Sequence, residues 1–134
     1  MTVPVITGGI YLVNDRAIKL PPEDKRNWHV TRRSFLVLSG GDTNAASDWP
    51  IIFGCPLSTA TSFVSRFDVK LAAGEGNVNK KCWVRIPQAQ PLTKADLQDH
   101  TGILTAARLE EVYARLLWYM GLTSFDAKDQ DPPF

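Results

Sequence analysis

The apolar residues of this chain come in short runs, each cut off by glycine, proline or a polar stretch. Ile10–Val13, Ser34–Leu38, Trp49–Leu57, Phe67–Leu71 and Cys82–Ile86 are all too short for a stable helix. They read as strands, with Gly8-Gly9, Pro50, Pro56 and Pro87 at the places where a strand starts or stops. Phe67-Asp68-Val69-Lys70-Leu71 alternates apolar and polar, which predicts one wet face. Gly40-Gly41-Asp42 and Gly74-Glu75-Gly76-Asn77 read as turns. Only one stretch keeps a helical period. Leu109, Val112, Tyr113, Leu116, Leu117 and Met120 form one face, with Thr105 as N-cap and Gly121 just past the end. A short helix over 94–98 is predicted from Thr93 and Asp96 as a capping box. Several short strands followed by one amphipathic helix predict a mainly β fold, a small barrel or strongly bent sheet with a C-terminal helix packed against it.

The 134 residues suit a single domain with its own core, read as 1–122. The acidic segment 123–134, ending Asp-Pro-Pro-Phe, is expected to be a flexible tail. No apolar run approaches membrane-spanning length, and the N-terminus lacks the basic start of a signal peptide. With two isolated cysteines, Cys55 and Cys82, and two distant histidines, His29 and His100, neither a disulfide framework nor a zinc site is expected, and a reducing cytoplasm is the simplest compartment. Charge is unevenly spread. Residues 1–92 hold 11 basic against 7 acidic side chains, and residues 93–134 hold 4 against 7. The front of the chain could therefore favour an anionic partner, although scattered solvated charge is the better account of so modest an excess.

Polar residues at strand ends are where a small β domain presents a site. Arg32-Arg33 precede the second strand, Ser58-Thr59-Ala60-Thr61-Ser62 follow the third, Arg85 lies in the late strand, and Gln88 stands beyond Pro87. Guanidinium groups and hydroxyls are the equipment for phosphate. Arg85 alternates with apolar Val84 and Ile86, so it should face the other side of the sheet; pairing with Asp68 is the structural alternative. The long polar segment Asn14–Thr31, read as a loop, carries Trp28, able to stack on a base or to anchor the loop. Beside it, His29 is either a general base or simply exposed.

These residues also stand in a recognisable order. Gly9-Ile10-Tyr11-Leu12-Val13, a long charged loop, Arg33-Ser34-Phe35-Leu36-Val37-Leu38-Ser39, Cys55-Pro56-Leu57-Ser58-Thr59 and Trp83-Val84-Arg85-Ile86-Pro87-Gln88 together resemble the MazF/PemK/Kid family of toxins from bacterial toxin–antitoxin pairs, over roughly residues 8 to 122. The resemblance implies a homodimeric SH3-like β-barrel of the CcdB/PemK kind. It implies a metal-independent, cofactor-free endoribonuclease that cuts single-stranded RNA, stops translation and is blocked by a cognate antitoxin. Carried over by position, Arg33, Ser58 and Arg85 match the catalytic set. Thr59 and Gln88 match supporting residues, with Arg32, Trp28 and His29 nearby in sequence. Some members place an acidic general base two positions after the late arginine. Here that position is Pro87, so the base is unassigned, with His29 and Glu23 as loop candidates. Two alternatives stand beside this reading. One is a CcdB-like toxin acting on DNA gyrase, hinted at by Trp118, Gly121 and Leu122; the other is a non-catalytic RNA-binding module.

Overall fold

The run around Ile51–Ser58 becomes the strand on which the whole sheet turns. The computed structural model describes residues 4–21 and 31–124. Within them lie strands β1 (Gly9–Asn14), β2 (Arg32–Val37), β3 (Ile51–Ser58), β4 (Val69–Leu71), β5 (Cys82–Val84), β6 (Gln90–Thr93) and β7 (Asp99–Ile103), and helices α1 (Gly41–Ala45) and α2 (Ala106–Tyr119). The ladders are antiparallel and run β4-β5-β3-β2-β1-β7, with β6 also on β3. β3 changes partner along its length. Ile51–Gly54 face β6, Gly54–Pro56 face β2, and Leu57–Ser58 face β5. A strand shared this way curls the sheet into a half-barrel.

Gly54 sits in two of these ladders, opposite Val37 and Gln90. A Cβ there would stand 1.9 Å from the Leu36 carbonyl oxygen and 2.8 Å from the Phe35 ring, so only glycine fits. Pro56 has no N–H to give, and the β2–β3 ladder ends at its pair with Phe35.

Both faces of β2 are buried, which is why Phe35–Leu38 reads as an unbroken apolar run rather than an alternating one. Leu36 and Leu38 join Ile10, Leu57, Val69, Val84 and Val112 in a core under α2. Phe35 and Val37 join Tyr11, Val13, Ile18, Ile52 and Leu92 in a second core on the other side. The Thr105 hydroxyl accepts the Arg108 N–H at 3.3 Å and caps α2, whose Leu109, Tyr113 and Leu116 pack on the first core. Gly121 takes the positive φ expected of it. Leu117 and Met120 stay exposed; Trp118 turns inward instead, its ring 4.6 Å from that of Phe67.

Several expectations need correcting. Gly40-Gly41-Asp42 does not turn the chain directly but starts α1, whose buried Asn44 bonds to Ser39 and Thr7. β6 and β7 escaped notice because QPLT and DHTGI carry few apolar residues. The late strand ends at Val84, and Ile86–Gln88 is a 3-10 turn, since Pro87 withholds a ladder donor. The segment after Asn14 is not all loop: Asp15–Ala17 form a 3-10 turn and Ile18 is fully buried. The capped turn at Thr93 is present, its Asp96 carboxylate accepting from the Thr93 N–H and hydroxyl. Glu23, Trp28, His29 and tail residues 125–134 lie outside the described residues. Among the described residues no helix is long and apolar enough to cross a membrane.

Gly54→Ala is expected to cost about 3 kcal/mol by forcing β2 and β3 apart, seen as a lower midpoint in denaturant unfolding. Gly41→Ala, with open space around its Cβ, should change stability by less than about 0.5 kcal/mol in the same measurement.

Candidate active site

Beyond the Phe35–Pro56 pair, β2 and β3 part. Continuing their register by two residues would set Arg33 opposite Ser58, but Ser58 pairs instead with Trp83 of β5. The gap is a groove of about 370 Å³, lined on this side by Arg32, Arg33, Ser58 and Thr59. Asn77, Asn79, Lys80 and Thr101 line it as well, with Leu12, Leu57 and Val78 adding apolar surface. The parting of two strands thus brings together the arginines of one strand start and the hydroxyls of another strand end, 25 positions away in sequence.

Arg33 is held. Its Nε donates to Asp15 Oδ1 at 2.9 Å, and the two side chains are 11% and 2% exposed. Asp15 is fixed in turn by the 3-10 turn after β1, whose N–H donates to the Thr31 carbonyl at 3.0 Å. The bond at Nε sets the plane of the guanidinium, whose Nη1 and Nη2 make no hydrogen bond among the described residues. Arg32 instead pairs with Asp99 at the surface, an exposed contact of little energetic weight. The Ser58 hydroxyl oxygen accepts the Ala60 N–H at 3.1 Å, a local turn that fixes its rotamer and leaves its proton for another acceptor.

Arg85 is not among the residues that line the groove. It caps the Ile86–Gln88 turn, buried, and its Nη1 donates to Asp68 Oδ2 at 3.2 Å. The alternation argument fails because the strand ends one residue earlier, and the pairing with Asp68 is what the fold adopts. Burial pushes the Asp68 carboxyl up, against the pull of the Ser65 N–H, the Arg85 guanidinium and the Ile86 N–H. Gln88 does not line the groove either, its N–H donating to the Arg85 carbonyl at 3.0 Å.

The Asn77–Lys80 stretch went unread because a turn signal and a polar run look like plain loop. The doublet Lys80-Lys81 just before a strand was the available clue. Asn77 holds a positive φ, tolerated by asparagine, with its Nδ2 donating to the Thr101 carbonyl at 3.0 Å. Among the described residues no three His, Cys, Asp or Glu side chains are placed to hold a metal ion.

Cys82 also lines the groove, yet burial pushes its thiol up to about 11, and that of Cys55 up to about 12. Both should behave as small apolar side chains rather than nucleophiles. In the folded protein at pH 8 they are expected to react with a thiol reagent at least about 100-fold more slowly than free cysteine, and at the ordinary rate after denaturation, followed by absorbance.

A search of curated protein sequences finds no match. Solved structures share the fold at low identity. The Mycobacterium tuberculosis toxin MazF-mt6 superposes with a TM-score of 0.66 at 16% identity, covering 87% of this chain and 99% of that one. MazF in the MazE-MazF complex of Deinococcus radiodurans gives 0.64 at 21% identity, covering 90% and 99%. An endoribonuclease from a mycobacterial species, solved in complex with its cognate antitoxin, gives 0.64 at 16%, covering 90% and 97%. A family model described as the PemK-like, MazF-like toxin of type II toxin–antitoxin systems matches residues 7–120, which supports the resemblance and not the CcdB-like alternative. With most of its length matched to that model, the chain belongs to the PemK-like, MazF-like toxin family.

Proposed function

We propose that this toxin is an endoribonuclease that cleaves single-stranded RNA by internal transphosphorylation, without a metal ion, and so inhibits translation. The observation that carries the reading is the groove where β2 and β3 part, which places Arg33, Ser58 and Thr59 together. The ribose 2′-oxygen attacks the adjacent phosphorus and loses its proton. The bond from phosphorus to the 5′-oxygen breaks, that oxygen gains a proton, and the products carry a 2′,3′-cyclic phosphate and a 5′-OH. Charge builds on the non-bridging oxygens as the phosphorane forms. Arg33, fixed by Asp15, meets that charge with its Nη groups, and the Ser58 hydroxyl donates to the same phosphate. Thr59 and Lys80 hold neighbouring backbone.

The same reading supplies partners. Two of the similar structures hold a MazF-type toxin or endoribonuclease with its antitoxin, and a cognate antitoxin is proposed for this chain. A homodimer is proposed as well, supported by Trp49, Ile51 and Phe53, which stand exposed at the start of β3 and on its outward face. Light scattering should then give twice the mass of one chain. The cytoplasm, where RNA and antitoxin meet the toxin, is the proposed compartment.

The test is a long unstructured RNA incubated with the protein in EDTA, with every new end mapped. Cuts are expected at one recurring short word, with 5′-OH ends. Arg33→Ala should lower the rate at least about 100-fold, its folding checked by circular dichroism because Asp15 loses its partner. RNA bound in a salt-sensitive way but left intact would replace the nuclease with a non-catalytic RNA-binding module.

A further inference from the structure

Arg85 and Asp68 form the best-connected buried polar cluster near the groove, yet neither lines it. Asp68 accepts from Arg85 Nη1 at 3.2 Å, from the Ser65 N–H at 2.9 Å and from the Ile86 N–H at 3.1 Å. Arg85 uses its other terminal nitrogen differently. Nη2 donates to the carbonyl of Ala60 and, at 3.3 Å, to that of Ser62. The Arg85 backbone N–H donates to the Pro56 carbonyl at 3.0 Å. One buried guanidinium therefore grips the hydroxyl-rich segment after β3 at two carbonyls, and its backbone ties down the strand just before Ser58.

Ala60 is the link. Its carbonyl is held by Arg85, and its N–H donates to the Ser58 hydroxyl oxygen at 3.1 Å. That N–H occupies a lone pair of the hydroxyl and so decides where the O–H points. Ala60 itself is exposed, with no core packing to fix its backbone. We infer that Arg85, anchored by Asp68, is a positioning residue that acts through Ala60 to aim the Ser58 hydroxyl into the groove. It does not exchange a proton with the substrate.

This inference rests on the proposed nuclease reading and deepens it. Arg85→Lys keeps a positive charge opposite Asp68 but loses the fork that reaches two carbonyls. A hydroxyl misplaced by an ångström costs on the order of 100-fold in rate. Arg85→Lys is therefore expected to lower kcat about 10- to 100-fold, with KM changed less than about twofold and an unaltered pH profile. The discriminating measurement is a double-mutant cycle with Ser58→Ala. If Arg85 acts through Ser58, adding Arg85→Lys to Ser58→Ala causes less than about a threefold further loss. Should Arg85→Lys fold poorly, Ala60→Pro tests the same relay at an exposed position. It deletes the N–H that holds Ser58 and should show the same loss and the same absence of further effect on Ser58→Ala. Losses that multiply in both cycles would overturn the relay and return Arg85 to direct contact with substrate. So would a lowered melting temperature with kcat intact. A folded wild-type protein that leaves RNA uncut takes down the nuclease reading and the relay together, whereas multiplied losses in an active enzyme take down the relay alone.

Discussion

The exchange of partners along β3 is the constraint on which the rest of the molecule depends. One strand cannot serve β6, β2 and β5 at once, so it serves them in turn and the sheet must curl. Gly54 permits the closest approach, where a Cβ would run into the Leu36 carbonyl. Pro56 ends the shared ladder two residues later, and its carbonyl passes to the Arg85 N–H. The two cores follow, because a curled sheet encloses one face of β2 while α2 covers the other. The groove follows too, being the gap left when β3 turns from β2 toward β5.

Two arginines held by acidic partners, Arg33 in the groove lining and Arg85 behind it, have different duties. Each has an acidic partner that is almost fully buried, Asp15 for Arg33 and Asp68 for Arg85. Such pairs add little net stability over an apolar pair of the same shape, but losing one partner leaves an uncompensated charge inside. Their value here is direction. Arg33 is tied at Nε and its terminal nitrogens make no hydrogen bond among the described residues, while Arg85 spends both of its terminal nitrogens on the protein. On the proposed reading a substrate phosphate engages the first without breaking the fold, and could reach the second only by doing so.

The sequence made the strand content and the closing helix legible wherever burial imposed a period. β2 and β3 read as apolar runs because packing covers them, and α2 showed its face, its Thr105 cap and its Gly121 stop. β6 and β7 were illegible because hydrogen bonding to β3 and β1 defines them more than burial does, with Leu92 the one buried side chain between them. The same difference divides the candidate site. Arg33, Ser58 and Thr59 could be found because they flank strands whose ends were visible. Asn77 and Asn79 could not, since no local pattern says which loop folds back over a groove, and for Lys80 the only clue was the doublet Lys80-Lys81 before β5. Arg85 was found but misplaced, because alternation was extended one residue past the end of β5.

The modest basic excess of the front half is not gathered in the groove. Its cations do not lie in one patch. Arg32 is engaged with Asp99 at the surface, Arg33 with Asp15 inside, and Lys80 comes from the loop between β4 and β5. Among the described residues the net attraction for a polyanion is therefore weak, and on the proposed reading a duplex with its rigid phosphate spacing meets few directed donors. On the proposed reading a flexible single strand bends one phosphate onto Arg33 and Ser58, with Asn77 and Asn79 lining the same groove. Directed donors on a weakly charged surface favour selection by fit over capture by charge, which suits cleavage at a short word better than cleavage everywhere.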